Sequence, residues 1–146
     1  MRVDFAFDAH ERISQAVRTT VKQVSRGNRI LVYCDEISRL NQFDAALWSL
    51  PGTAFIAHEF LGGDEQPDLP VYLVDAGMDW QASCDLLGTG FWLLNLSDDC
   101  PPLTQPIPRI LEIVSADPQD RALARSRWRI YQQAGYALHA HQLEPS

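Results

Sequence analysis

The sequence predicts a three-layer α/β domain with a largely parallel sheet. Short apolar runs rich in branched residues alternate along the chain with longer segments whose apolar residues recur every three or four positions. These are the patterns of buried strands and of amphipathic helices, and their alternation favours a parallel sheet with helices on both faces. With 146 residues, 46% of them hydrophobic, the chain has the size and composition of one compact domain. We therefore expect a single domain over residues 1–146.

A strand followed by a helix is predicted at the start of the chain. Residues 2 to 7 alternate polar and apolar side chains, and Asp8 then supplies a candidate N-cap. From about residue 10 to residue 26 apolar side chains recur at helical spacing. Gly27 stands where a helix C-terminal glycine is expected, so the helix should end there.

A second strand and a second helix follow. The short apolar run at residues 28 to 34 predicts a buried strand. Asp35, directly after it, is a candidate cap for a helix whose apolar positions extend over residues 37 to 50. The Pro-Gly pair at 51 and 52 is expected to end this helix.

The second half of the chain continues the alternation. Three apolar runs bounded by Gly, Pro or Asp are candidate strands, at residues 71 to 75, 91 to 97 and 109 to 115. Asp117 and Pro118 then open a basic helix, with Asp117 as cap and Pro118 in the first turn, where its missing N–H costs nothing. Segments rich in Gly, Pro and Asp, at 61 to 70 and 98 to 108, are predicted to be surface loops.

The charge of the whole chain restricts its partners. The formal net charge is -7 at pH 7 and the pI is near 4.9, which disfavours a general nucleic-acid binder because Lys and Arg supply most of the non-specific affinity for phosphates. Three cysteines form no disulfide or zinc pattern and so favour a reducing compartment. The chain shows no signal-peptide pattern and no apolar run as long as a membrane span. We expect a soluble, cytoplasmic protein that does not contact membranes.

The motifs of nucleotide and nucleophile chemistry are missing. The turn after the first strand, Asp8-Ala9-His10, contains no glycine, so backbone amides cannot approach a phosphate closely there. No Walker-type Gly-Lys-Ser/Thr is present, and Gly88-Thr89-Gly90 precedes a strand instead of opening a helix. Cys34 ends an apolar strand and is predicted to be a small buried hydrophobe. We expect no cofactor and no catalytic residue.

Two smaller groups of polar residues have an alternative interpretation. Asp35 and Glu36 form a carboxylate pair at the C-terminal end of a strand, where α/β enzymes place catalytic groups, although helix capping explains the same residues. An α/β enzyme that uses Asp35 and Glu36 is the alternative class of function. His139 and His141 would share one face of a strand, but no third ligand is near them in the sequence, so we predict no metal site.

The segment from 121 to 129 concentrates the positive charge of this acidic chain, with four of its twelve Lys and Arg in nine residues. On a helix, three guanidinium groups and an indole share one face: Arg121, Arg125, Trp128 and Arg129. A different, apolar face is predicted to pack on the sheet: Leu123, Ile130 and Ala134, with Arg127 between them. Guanidinium groups beside an aromatic wall suit a short acidic peptide. A solvated charged face with a Trp over the sheet edge is the other interpretation.

A second cluster, between residues 43 and 63, is rich in large apolar side chains: Leu47, Trp48, Leu50, Phe55, Ile56, Phe60 and Leu61. A helix end that carries Trp48, followed by an aromatic-rich segment, can leave an exposed apolar patch of the kind found at protein interfaces. Ordinary packing of a helix end against a strand is the other interpretation.

At these two stretches the sequence resembles the chi subunit family of the bacterial DNA polymerase III clamp loader. FDAALWSLPGTAFIAH, residues 43 to 58, is similar to that family's helix end with Leu-Trp, Pro and Phe, and a His three positions after the Phe. ALARSRWRIYQQAGY, residues 122 to 136, is similar to its C-terminal helix with Leu-Ala-Arg, an aromatic residue between basic ones, and a final Ala-Gly-aromatic. The order of elements also agrees along the chain.

The resemblance implies a Rossmann-like domain without nucleotide chemistry that acts as a non-catalytic replication subunit. Family members bind the acidic, Phe-terminated C-terminal tail of single-stranded DNA-binding protein and pair with the psi subunit of the clamp loader, so DNA is reached only indirectly. The implied tail site comprises Val114, Arg121, Arg125, Trp128 and Arg129, with Trp128 where a Tyr is familiar and Arg121 and Arg129 where a Lys is. The implied psi interface is built around Trp48 and Phe55, and a repair helicase is the alternative partner of that surface.

Overall fold

The computed structural model describes residues 1–50, 55–62, 68–77 and 80–143. Within these residues the chain forms seven strands: β1 Arg2–Ala9, β2 Ile30–Cys34, β3 His58–Phe60, β4 Val71–Asp75, β5 Trp92–Asn95, β6 Arg109–Ser115 and β7 Ala137–Gln142. The same residues form four helices: α1 Arg12–Ser25, α2 Ile37–Trp48, α3 Trp80–Gly88 and α4 Pro118–Gln133.

The strands form one sheet in the order β3-β4-β2-β5-β6-β1-β7, and every pairing in it is parallel. Helices α1 and α2 bury their apolar residues on one face of the sheet, where Val17, Leu40 and Phe43 are in the core. Helices α3 and α4 cover the other face with Leu87 and Tyr131. The prediction of a three-layer, largely parallel α/β fold is therefore confirmed, and the architecture is Rossmann-like.

Two predicted helix caps are wrong. Asp8 lies inside β1 with a φ of 68°, because β1 continues through an irregularity to Ala9. Glu11 caps α1 instead: its carboxylate oxygens accept hydrogen bonds from the backbone N–H groups of Ile13 at 2.9 Å and Ser14 at 2.8 Å. Gly27, with a φ of 88°, ends the first helical segment as expected.

The second cap prediction fails for a similar reason. Asp35 precedes α2 by one residue more than a cap can, and its backbone N–H donates to the Ser97 hydroxyl at 2.8 Å. Glu36 occupies the N-cap position of α2, with no capping hydrogen bond from its side chain. The Pro-Gly pair predicted to end α2 lies outside the described residues.

Three elements, β3, α3 and β7, have no counterpart among the strands and helices predicted from the sequence. The three strands predicted in the second half are present, although β5 is shorter than the run at 91 to 97. Residues 98 to 108 contain no helix or strand, but the segment is not confined to the surface. Ile107 is buried, and its backbone N–H donates to the Tyr136 hydroxyl at 3.1 Å.

Candidate functional site

Helix α4 begins where the sequence predicts. Asp117 is its N-cap and accepts a hydrogen bond from the N–H of Gln119 at 2.8 Å, and Pro118 is in the first turn. In the same first turn, Asp120 accepts a hydrogen bond from the N–H of Ser115 at 2.7 Å. This bond ties the first turn of α4 to the C-terminal end of β6.

The face of α4 that packs on the sheet differs from the predicted one. The buried residues are Ala124, Arg127 and Tyr131. Ile130, which was expected to pack on the sheet, is 47% exposed, and Ala134 is exposed as well. The helix is therefore rotated so that an arginine, not the predicted apolar stripe, faces the core.

A buried carboxylate explains this rotation. Glu112 on β6 is completely buried and accepts three hydrogen bonds: from Arg127 Nε at 3.1 Å, Tyr131 Oη at 2.7 Å and Asn95 Nδ2 at 2.8 Å. Arg127 also donates from Nη1 to the carbonyl of Asp98 at 2.9 Å. A buried charge must be paired and hydrogen-bonded, so Glu112 holds Arg127 and Tyr131 toward the sheet.

The same network perturbs Tyr131. Burial, reinforced by the negative charge of Glu112, raises the pKa of the Tyr131 hydroxyl well above its usual value. The hydroxyl therefore stays protonated and remains a hydrogen-bond donor to Glu112. With Arg127 and Tyr131 held inward, Arg121, Arg125 and Arg129 are all exposed on the outer side of α4.

A small apolar pocket opens beside these arginines. It has a volume of about 160 Å³ and is lined by Phe5, Phe7, Val114, Arg121, Ala124 and Arg125. Its walls come from β1, the end of β6 and the second turn of α4. Of the five residues predicted for the tail site, the structure brings Val114, Arg121 and Arg125 together at this pocket.

Trp128 and Arg129 lie outside the lining of the pocket. The Trp128 ring is half-buried and packs on Phe5, with the ring centroids 5.1 Å apart. It therefore supports the wall of the pocket that Phe5 forms. Arg129 is exposed one turn beyond Arg125 and is available only to a ligand that extends past the pocket.

Phe5 and Phe7 were missed as site residues by reasoning from the sequence. The alternation along β1 indicates that both point to one face of the sheet. Nothing local indicates that β1 lies next to β6, in a register that pairs Ala6 with Ile113. That register places the two Phe side chains beside Val114.

The cluster after α2 divides between core and surface. Leu47, Ile56 and Leu61 are buried, as ordinary packing predicts. Trp48 and Phe55 are 53% and 56% exposed, and their ring centroids are 5.6 Å apart. We call this exposed pair the aromatic surface. Part of the cluster thus packs in the core, and part of it forms an exposed apolar patch.

A buried histidine supports the aromatic surface. The His58 ring lies 4.4 Å from the Trp48 ring, centroid to centroid. Its Nδ1 is 2.9 Å from the carbonyl oxygen of Ile56, and its Nε2 is 3.0 Å from Asp44 Oδ1. Because both nitrogens are held, the ring that Trp48 packs against has a fixed orientation.

The crevice at the C-terminal ends of β1 and β6 is where α/β folds usually bind ligands. It has a volume of about 480 Å³, and its lining includes Glu11, Arg39, Asp98 and Asp117. The amides at the start of α1 and α4 are bonded to Glu11 and Asp117, and Arg39 pairs with Asp98 at 3.1 Å. The groups that would bind a nucleotide phosphate are thus satisfied by the chain's own side chains.

The acidic pair of the alternative enzyme interpretation lies elsewhere. Asp35 and Glu36 are both exposed, and neither lines this crevice. Glu36 forms an ion pair with Arg39 at 3.3 Å and accepts a hydrogen bond from Ser38. The arrangement stabilises the first turn of α2.

The histidine and cysteine side chains have structural contacts. His139 and His141 lie on β7, and His141 Nε2 is 3.0 Å from Asp4 Oδ1. Within the described ranges, no group of three or more His, Cys, Asp and Glu is placed to hold a metal ion. Cys34 is buried, and its burial raises the pKa of its thiol. No helix in the described part of the chain has the length and apolar character needed to cross a membrane.

Fold and sites together define a Rossmann-like α/β domain with a small apolar pocket between arginines and a separate aromatic surface. A family model described as "DNA polymerase III chi subunit, HolC" matches residues 1–139. The chain belongs to this family, as the two motifs predicted.

Two relatives are both named DNA polymerase III subunit chi. The protein from Pseudomonas aeruginosa PAO1 is 31% identical, over 97% of this chain and 96% of the relative. The protein from Escherichia coli K12 is 23% identical, over 77% of this chain and 72% of the relative.

Proposed function

We propose that this chain is a non-catalytic replication accessory subunit of the DNA polymerase III machinery. It binds the acidic, Phe-terminated C-terminal tail of single-stranded DNA-binding protein and connects it, through the psi subunit, to the clamp loader. Membership of the chi subunit family supports this role. The net charge of -7 disfavours direct competition by nucleic acid, so DNA is reached only through partners.

The observation that carries the proposal is the pocket between Arg121 and Arg125. Its volume is about 160 Å³, and an apolar cavity of about 150 Å³ is known to accommodate a benzene ring. A terminal Phe ring would enter between Phe5, Phe7 and Val114. Its carboxylate, together with preceding acidic side chains, would meet the two guanidinium groups in charge-assisted bonds.

The test is titration of the full chain with a synthetic tail peptide, with and without its terminal Phe. Burying a Phe side chain contributes about 1.5 to 3 kcal/mol, so removal of the Phe should weaken binding by about tenfold to a hundredfold. An amidated peptide that keeps the Phe serves as control for the carboxylate. Equal affinities with and without the Phe would show that the pocket does not receive it.

The affinity of the tail peptide should also fall as salt rises. Arg121, Arg125 and Arg129 are exposed, and the Debye length shrinks from about 10 Å at 0.1 M salt to about 3 Å at 1 M. Calorimetric titrations across this range measure the effect. An affinity that stays constant would remove the electrostatic part of the proposal.

The aromatic surface is proposed as the psi interface. Trp48 and Phe55 are large, adjacent and more than half exposed, which is the composition of interface anchors. A repair helicase is the alternative partner for the same surface. Pull-down with each purified partner would distinguish the two.

Trp48→Ala and Phe55→Ala should each weaken psi binding, or that of its substitute, by roughly thirtyfold or more, since truncated aromatic anchors often cost about 2 kcal/mol or more. Binding of the tail peptide should remain intact. Ile130→Ala is the matched control, because Ile130 is 47% exposed on α4, away from the aromatic surface. If either aromatic variant unfolds, that residue serves the core and its assignment to the interface is wrong.

A further inference from the structure

A second concentration of positive charge lies in a groove between α1 and the strands β1, β6 and β7. The groove has a volume of about 460 Å³. Five of the chain's twelve Lys and Arg line it: Arg2, Arg18, Lys22, Arg26 and Arg109. None of these belongs to the α4 pocket, which is on the opposite face of the sheet.

The cations of the groove form two groups that differ in their ion pairs. We call the strands under the groove its floor and helix α1 its wall. On the floor, Arg2 and Arg109 pair with Asp4 at 2.9 Å and 2.7 Å, so this carboxylate is already neutralised. On the wall, Arg18, Lys22 and Arg26 form no ion pair with any carboxylate in the described part of the chain. The wall of the groove therefore offers three cations to an external anion.

The helix dipole does not account for this arrangement. Basic residues in the last turn of a helix complement its negative end, which explains Lys22 and Arg26 near the end of α1. Arg18 lies in the middle of α1, beyond the range of that effect. Arg2 and Arg109 come from strands and also face the groove. Their convergence is a property of the tertiary fold.

The spacing of the wall cations favours an extended peptide. Arg18, Lys22 and Arg26 follow one another at i, i+4 and i+8, which places them about 6 Å apart along the helix axis. Side chains on one face of an extended chain recur every two residues, about 6.6 Å apart. A segment with acidic residues at alternate positions would therefore meet one cation with each acid.

The edge of the sheet offers the backbone contacts that such a segment needs. Among the described strands, β7 is last in the sheet and pairs only with β1, and it is mostly exposed. Its outer edge is a template for the addition of a strand. His141 and Gln142 of β7 line the groove, so a segment beside β7 runs along the groove and presents alternate side chains toward α1.

The lining of the groove disfavours a nucleic acid. Single-stranded nucleic acids are usually bound by aromatic side chains on which the bases stack. None of the described residues that line the groove is Phe, Tyr or Trp. The net charge of -7 also repels a polyanion that extends beyond the groove.

We propose that this groove is a second binding site, for an extended acidic protein segment whose acidic residues alternate and which needs no terminal Phe. The wall cations of α1 bind the acidic side chains, and the edge of β7 binds the backbone. Two acidic segments can then be held at once, one on each face of the sheet.

The experiment uses the full, isotope-labelled chain and a blocked peptide of about ten residues in which Asp and Thr alternate, a length that spans the groove and β7. We expect amide shifts at Arg18, Lys22, Thr19, His141 and Gln142, and none around Val114. A peptide of the same composition with all Asp at one end is the first control, and it should bind several-fold more weakly. An oligothymidylate of similar length is the second control.

Two triple variants distinguish binding by the cations of the groove from long-range electrostatic attraction by the whole protein. Arg18→Ala/Lys22→Ala/Arg26→Ala should lower the affinity for the alternating peptide by about tenfold, because three exposed ion pairs are lost. Arg121→Ala/Arg125→Ala/Arg129→Ala removes the same charge from the other face and should leave this affinity unchanged. Melting temperatures accompany both, and Arg18→Gln/Arg26→Gln replaces the first variant if it unfolds.

Three results would overturn the proposal. Equal losses of affinity for the alternating peptide in the two triple variants would mean that only long-range electrostatic attraction is involved. Equal binding of the two peptides would mean that the groove does not recognise alternation. Tighter binding of the oligothymidylate at the same amides would identify the ligand as a nucleic acid.

Discussion

Arg125→Ala is expected to lower the affinity for the tail peptide by about tenfold to more than a hundredfold while the protein stays folded. Arg125 is exposed and lines the pocket that we propose for the terminal Phe and its carboxylate. A hydrogen bond to a charged group contributes about 1.5 to 3 kcal/mol, and about 1.4 kcal/mol corresponds to a factor of ten. Truncation of an exposed helical Arg changes the free energy of unfolding by no more than about 0.5 kcal/mol. Calorimetry and thermal melting measure the two quantities.

Two further variants define what Arg125 supplies. Arg125→Lys should recover only part of the affinity, because an ammonium group keeps the charge and loses the planar, bidentate guanidinium. Arg129→Ala removes another exposed arginine, which does not line the pocket. This variant should lower the affinity for the tail peptide only a few-fold. Full-strength binding by a well-folded Arg125→Ala protein would show that this arginine belongs to a solvated face.

Arg127→Met should cause the largest loss of stability, about 3 to 5 kcal/mol in the free energy of unfolding. Arg127 and Glu112 are almost completely buried, and their side chains are 3.1 Å apart. Removal of Arg127 leaves the buried Glu112 carboxylate with only a more distant cation, since Arg12 Nη2 is 3.8 Å from Glu112 Oε1. Loss of one partner is the strongly destabilising case for a buried ion pair. Urea denaturation at neutral pH measures the change.

The double variant Glu112→Gln/Arg127→Met tests the reason for that loss. It removes both charges, so it should be more stable than the Arg127→Met single variant. The coupling between the two positions follows from the full cycle of variants. If Arg127→Met loses less than about 1 kcal/mol, the ion pair does not hold α4 on the sheet.

Local patterns in the sequence are enough for most of the fold. Strands β4 and β6 have the predicted limits, and α4 begins at Pro118 after the Asp117 cap. These features depend on contacts within a few residues, such as hydrophobic alternation and a capping side chain. The caps of α1 and α2 are mispredicted, because Asp8 and Asp35 are engaged by neighbouring strands and loops instead.

The orientation of α4 shows the limit of periodicity. Hydrophobicity alone assigns Leu123, Ile130 and Ala134 to the core. The buried face instead contains Arg127, because a carboxylate from another element, Glu112, lies beneath it. Leaving the buried Glu112 carboxylate unpaired would cost more free energy than the burial of one more aliphatic side chain gains. No pattern within the helix records that partner.

The sequence alone is sufficient to identify the family, the parallel α/β order and the arginines that face outward at Arg121 and Arg125. These conclusions follow from short motifs, from the alternation of strands and helices along the chain and from helical spacing. The apolar half of the pocket requires β1 to lie beside β6, which brings Phe5 and Phe7 to Val114. The basic groove likewise exists only because α1 lies across from β7. Strand order and register arise from the packing of the whole core, so contacts between distant segments become visible only once that packing is known.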